Sequence, residues 1–228
     1  VYTAVKTAKE KLGASSNHAA VFWPKGAVGE KIYCLSAMAA AETAATDAAN
    51  GDVPYESPSN KDLKITATVL DDGTEVALDQ EQANLLNGQG VITAINANGF
   101  KLWGNNTAAY PSTTDPKDRW LAVRRFFDWD GNNFIMTYFQ KVDKPGNKRL
   151  IQSIVDSQNI IGNGYVARDY CAGYRIEFRD DENPITDLLD GKLTTHTYLA
   201  PYIPAEKIVN IREYDTAALE AALTGGGE

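Results

Sequence analysis

The stretch VITAINANGFKLWG, Val91 to Gly104, restricts the possible folds of this chain more than any other. Alternating apolar residues run into Asn98-Gly99, a pair that tolerates the left-handed backbone of a tight hairpin turn, and FKLW then returns. The pattern predicts an antiparallel pair, Val91–Asn96 against a strand that starts at Phe100. Successive side chains of a strand alternate, so Phe100 and Leu102 share one face while Lys101 and Trp103 share the other. A lone hairpin is marginal in water. Other segments must therefore cover one of its faces.

The flanking sequence offers both helices and strands. Ala4 to Leu12 reads as a helix, and Ala19 to Pro24 and Ile32 to Leu35 as strands. The alanine-rich MAAAETAATDAANG, Met38 to Gly51, is a helix stopped by its glycine. Asp52 to Lys61, with two prolines, is a loop; Leu63 to Leu70 alternates as a strand; LDQEQANLLNGQG is a short helix with a glycine-rich exit. Further on, Asp115 stands as an N-cap with Pro116 in the first helical position, and Trp120, Val123 and Phe127 form one stripe. Asp130-Gly131-Asn132-Asn133 predicts a break in that helix. A second helix is predicted from Asn147 to Ile161, ended by Gly162 and Gly164. Tyr174–Phe178, Lys192–Ala200 and Glu206–Tyr214 read as strands, the last two separated by a turn from Pro201 to Pro204. This mixture makes the fold α/β, in the mixed α+β sense, with β-sheets flanked by helices.

Charge and cysteine content limit the function classes. A net charge of −8 repels phosphate backbones, and no basic patch offsets it, so nucleic acid is not an expected partner. Cys34 and Cys171 define no disulfide, which favours a reducing folding environment. No apolar run has membrane-spanning length, and the start of the chain lacks a signal-peptide pattern. Val1 in place of Met points to a fragment or a processed product, and the chain closes on Gly225-Gly226-Gly227-Glu228.

A search for chemistry finds no glycine-rich phosphate loop, HExxH, paired CxxC or GxSxG, and no metal or cofactor is expected. Cys34 with His18 or His196 could form a thiol and its base. Cys34 lies inside the apolar strand pattern KIYCLSAM, however, where a buried inert thiol is the plainer reading. The carboxylates of RDDENP, Arg179 to Pro184, match no calcium loop and read as a solvated turn. Arg124-Arg125 could clamp a phosphate, although such pairs more often bridge carboxylates. Trp103 is either an anchor at the end of a sheet or, with Trp129 and the tyrosines, a platform for a carbohydrate or a peptide.

Taken in order, several segments resemble the contractile-tail sheath proteins that form the outer layer of phage tails and tailocins. They are MAAAETAATDAANGDVPYESPSNK, the WG hairpin LLNGQGVITAINANGFKLWGNNTA, the VRR helix DRWLAVRRFFDW, and the closing NPITDLLDGKLTTHTYLAPYIPAEKIVNIREYD with its PAE turn. The resemblance covers Ala19 to about Asp215 and identifies the chain as a carboxy-terminal fragment. Residues 1–110 would be a middle α/β domain lacking its amino-terminal part, and 111–228 an inner, tube-facing domain. It implies a structural subunit of the virion tail, assembled in the bacterial host cytoplasm, with no catalytic residue and no membrane insertion. Its partners would be copies of itself in hexameric rings, a tail tube protein and a baseplate. Extended arms of neighbouring subunits would add strands to its sheet, and the sheath would shorten to drive the tube through a cell envelope. On this basis Trp103, Gly104, Arg124, Arg125, Pro204 and Glu206 are candidate structural or assembly residues. Lys192–Ala200 and Glu206–Tyr214 would build the receiving sheet, and Lys148, Arg149 and Gln152 would face the tube.

Overall fold

The computed structural model describes residues 2–225; Val1 and the closing Gly226–Glu228 lie outside the described residues. In chain order the elements are α1 (Tyr2–Lys11), β1 (Val21–Phe22), β2 (Lys25–Val28), β3 (Lys31–Tyr33), α2 (Leu35–Ala49), β4 (Ala67–Val69), α3 (Gln80–Asn87), β5 (Val91–Asn96), β6 (Phe100–Trp103), α4 (Pro116–Arg119), α5 (Leu121–Tyr138), α6 (Lys148–Ala167), β7 (Cys171–Glu177), α7 (Ile185–Leu189), β8 (His196–Pro201) and α8 (Thr216–Thr224). The strands form three small sheets, ordered β1-β5-β6, β3-β2-β4 and β7-β8.

The hairpin has the register its sequence predicts. Asn96 faces Phe100, Ala94 faces Leu102 and Thr93 faces Trp103, with Asn98 and Gly99 both at positive φ in the turn. Val21–Phe22 adds to β5 in parallel. Residues 60–63 run along the other side of β6, with Asn60 N–H donating to Leu102 O at 2.6 Å and Leu63 N–H to Phe100 O at 2.7 Å. Leu63 and Ile65 are therefore buried although the strand itself is confined to Ala67–Val69. Leu35 and Ala39 from α2 pack with Leu63, Ile65, Ile92, Ala94 and Leu102 to form the first core.

Several boundaries depart from the sequence expectation. α2 begins at Leu35, because the chain turns at Gly29 (φ 60°) and the β2–β3 hairpin ends at Tyr33. Cys34 thus sits at the helix N-cap, exposed, and is not the buried strand residue expected. Asp115 does cap a helix, with Lys117 N–H donating to its carboxylate at 2.9 Å, but that helix lasts one turn. Trp120 is extended and bridges to Asn106, flanked by Thr107 N–H to Arg119 O and Leu121 N–H to Asn105 O, both 2.8 Å. α5 restarts beyond it and runs through Gly131 unbroken, because Phe126, Trp129, Phe134 and Tyr138 pack on both sides of the glycine. Trp120 and Val123 are buried as expected, but Phe126 is fully buried and Phe127 only half, so the stripe departs from the expected one at its last member. α6 likewise continues past Gly162 and Gly164 to Ala167.

The second core joins Phe126 of α5, Tyr165 of α6 and Cys171, Tyr174 and Ile176 of β7, with Val53 from the loop after α2. The two cores are tied by an ion pair between Arg125 of α5 and Asp47 of α2.

Candidate assembly site

β7 and β8 form a two-stranded ribbon whose register pairs Tyr174 with Leu199, Arg175 with Tyr198 and Ile176 with Thr197. Its inner face is apolar. Cys171, Tyr174 and Ile176 point onto α5 and α6, while Arg175 is exposed and lies over the Tyr198 ring at 4.0 Å. β7 starts three residues before the expected Tyr174, because Cys171 is itself part of the core.

The two edges of the ribbon differ. On β7, the side-chain amide of Asn159 on α6 accepts from Ile176 N–H at 3.0 Å and donates to Ile176 O at 2.9 Å. A carboxamide bonded to both main-chain groups of one residue takes the place a neighbouring strand would fill. On the far side of β8, no main-chain group of His196–Pro201 has such a partner among the described residues.

Beneath the ribbon is a buried polar group. Tyr174 hydroxyl donates to Asp130 Oδ2 at 3.3 Å and accepts from Gln158 Nε2 at 2.7 Å. Asp130 Oδ1 and Gln158 Oε1 are buried without a hydrogen-bond partner. Burial pushes the Asp130 carboxyl up to about 6, only partly offset by the Tyr174 hydrogen bond. Burial also raises Tyr165, to about 12, and drives Tyr174 further in the same direction.

Past β8 the chain crosses to the first core. Tyr202 hydroxyl donates to Asp169 at 2.7 Å, and a turn closed by Glu206 N–H to Pro204 O follows. Residues 207–214 then belong to no helix or strand and make no main-chain hydrogen bond among the described residues. The expected strand Glu206–Tyr214 is therefore absent. Its apolar, β-branched residues are present but have no partner: Ile208 is 89% exposed and Ile211 81%, with Val209 and Tyr214 similarly open. The exposed helix α8 follows, capped by Asp215.

Pro204 and Glu206 border a polar cleft of about 680 Å³ that also takes in Trp103, Gly104, Asn105 and Arg119. Here the WG of the hairpin and the PAE turn meet. Trp103 indole N–H donates to Asn84 at 3.0 Å. Gly104, at φ 137°, holds a backbone conformation that a residue with a side chain adopts only under strain, and a Cβ there would crowd the Asn87 amide and stand 3.2 Å from Ile92 Cα. Nothing in the sequence patterns signalled Arg119 and Asn105 as partners of Glu206, since 101 residues separate Asn105 from it.

The other candidate residues lie apart from this cleft. Arg124 pairs with Asp128 at 2.5 Å and Asp118 at 3.4 Å, and Arg125 with Asp47, so both guanidiniums of the VRR segment are engaged by carboxylates. Lys148, Arg149 and Gln152 are exposed along one shallow groove of the first turns of α6. His18 lies 3.1 Å from Asp128 and His196 2.7 Å from Glu182; neither hydrogen-bonds Cys34. Trp129 packs against Phe126 and Tyr165 in the second core. No helix among the described residues is long and apolar enough to cross a membrane.

No family model matches the chain. It is 32% identical over 204 residues to the tail sheath protein of Burkholderia phage BcepMu, spanning 86% of this chain and 41% of that protein. It is 31% identical over 149 residues to the tail sheath protein of Escherichia phage P2, spanning 63% of this chain and 35% of the relative. The chain thus spans about two fifths or less of the length of these relatives. Its fold is shared with the sheath complex of an extracellular contractile injection system, PVC, in the contracted state (TM-score 0.79, 20% identity, 96% of this chain and 62% of the other). It is shared also with a chain of the anti-feeding prophage baseplate (TM-score 0.77, 21% identity, 89% and 56%). On sequence similarity along most of its own length, and on the fold it shares with these assemblies, the chain belongs to the contractile-tail sheath protein family.

Proposed function

We propose that this chain is the part of a sheath subunit through which copies join: residues 207–214 pair as a strand with the open edge of β8 in a neighbouring copy. The observation that carries this reading is an unpaired, exposed segment rich in β-branched residues, on a chain whose ribbon has an uncovered edge along β8. Main-chain pairing satisfies the edge whatever the side-chain sequence, and it survives rotation of the bodies it links. Ile208, Val209, Ile211 and Tyr214 would each contribute about 1.5–3 kcal/mol on full burial. The segment expected to help build the receiving sheet is on this reading the donor, and the receiving edge is that of β8.

Such head-to-tail joints generate stacked rings or helices around a tube. The intact subunit would work in a particle tail, alongside a tail tube and a baseplate, and would transform no substrate. In the full-length protein, Ile208→Pro with Ile211→Pro is expected to abolish sheath tubes in negative-stain electron microscopy. Tubes of normal length and yield would overturn the reading.

Lys148, Arg149 and Gln152 are proposed to face the tube. This rests on their exposure on one face of α6, and on Lys148 and Arg149 having no ion-pair partner among the described residues. Lys148→Glu with Arg149→Glu is expected to leave sheath self-assembly intact while lowering co-sedimentation with tubes by about tenfold, the effect of losing roughly 1.4 kcal/mol. Unchanged co-sedimentation would remove this assignment.

A further inference from the structure

We propose that Arg119 and Asn105 form a clasp for Glu206 that sets the direction in which the 207–214 segment leaves the body. The proposal deepens, and rests on, the reading of that segment as a donated strand.

Both clasping groups are held in place by contacts of their own. The Arg119 guanidinium lies over the rings of Tyr110, at 4.4 Å, and Trp120, at 4.1 Å, and its Nε–H donates to Asn106 Oδ1 at 3.0 Å. This leaves its Nη2 for Glu206 Oε2, 3.5 Å away. The Asn105 amide is oriented by Ser57, whose hydroxyl donates to Asn105 Oδ1 at 2.5 Å. Its Nδ2 is therefore left to donate, and it reaches Glu206 Oε1 at 3.2 Å. A planar cation held against two aromatic rings, beside an amide with its oxygen already taken, is a preorganised receptor for one carboxylate.

The position of this contact gives it its consequence. The root of the segment docks beside the hairpin, on Asn105 and Arg119, and not on the ribbon it has just left, and beyond Glu206 no hydrogen bond joins the described chain to the body; the next, the cap of α8, lies within that helix. Glu206 is thus the last fixed point before the donated strand. A segment aimed in advance loses less freedom on meeting its acceptor than one that swings freely. Because the ion pair is partly exposed, salt weakens it.

The test uses the 228-residue chain at dilution, where no neighbour is engaged. Nitroxides are attached after Asn210→Cys and Lys64→Cys in a Cys34→Ser background, and their separation is read by pulsed electron spin resonance. The parent is expected to give one narrow distance peak. Glu206→Ala should lose that peak, Glu206→Gln should retain part of it through Asn105, and 1 M salt should broaden the parent. Thermal melts should stay unchanged, since Glu206 contributes to neither core. A parent distribution that is already broad, or a Glu206→Ala distribution as narrow as the parent's, would overturn the clasp. Arg119→Met should match Glu206→Ala; if that variant fails to fold, the two Glu206 variants decide alone. Failure of strand donation would appear in the proline assembly experiment and leave these distances unaltered, so the two readings fail separately.

Discussion

Gly162→Ala is expected to destabilise the protein by about 2 kcal/mol and to lower the melting temperature by about 4–8 °C for a chain of this size. In an ordinary helix interior the same change would stabilise by up to about 1 kcal/mol, because alanine loses less conformational freedom than glycine. Here the added Cβ would overlap Cδ1 and Cγ of Tyr174 and stand 2.7 Å from Cε1. Tyr174 cannot tilt away freely: its hydroxyl is held by Gln158 and Asp130 and its ring meets Tyr165 edge-on at 5.8 Å. Gly131→Ala is the matched control. It lies in α5 with nothing within 4 Å of the added methyl and should raise stability by up to about 1 kcal/mol. Calorimetry or circular dichroism melts of the two variants should move in opposite directions. A stabilised Gly162→Ala would mean that α6 and β7 are not packed as closely as described.

Asp130→Asn is expected to raise stability at neutral pH and to flatten its pH dependence. In the folded chain burial raises the Asp130 carboxyl to about 6, from 3.8. The folded state therefore binds the proton more tightly than the unfolded state. Stability from this group is fully present below pH 3.8 and is lost as pH rises through about 6. The shift sets a ceiling of about 3 kcal/mol, and screening by residual water brings the expected gain of the asparagine variant to about 1–2 kcal/mol at pH 7.5. The asparagine still accepts from Tyr174, and it adds a donor where Asp130 Oδ1 now has no partner. Denaturant titrations at pH 5 and pH 7.5 should give a clear loss for the parent and little change for the variant. An equal loss in both would show that another group carries the pH dependence.

The parts of the fold legible in the sequence are those decided locally. Asn98-Gly99 specifies its hairpin, and Asp115 and Asn147 each cap a helix with their own side chains. The misread parts depend on distant partners. Gly131 and Gly162 look like helix stops until the aromatic side chains around them are in place, and Gly162 is small because Tyr174 needs its space. The segment Glu206–Tyr214 has a strand's pattern without a strand's partner, a distinction that no single-chain pattern contains. The clasp was equally hidden. Trp103, Gly104, Pro204 and Glu206 stood out by resemblance alone, whereas Arg119 and Asn105 become meaningful only when the chain ends its crossing between them.

The unequal rims of the β7–β8 ribbon have a consequence for how many neighbours this region could engage. On the proposed reading, with Asn159 held against Ile176 on the β7 side, the ribbon of each copy would offer one docking slot along β8 and, in residues 207–214, one plug. In the language of polymer chemistry the proposed slot and plug would make this ribbon bifunctional: it would propagate a linear thread with a direction, or close it into a loop. Cross-linking between threads would then come from other parts of the subunit, whose contacts would be free to reshuffle while the threads themselves stay continuous.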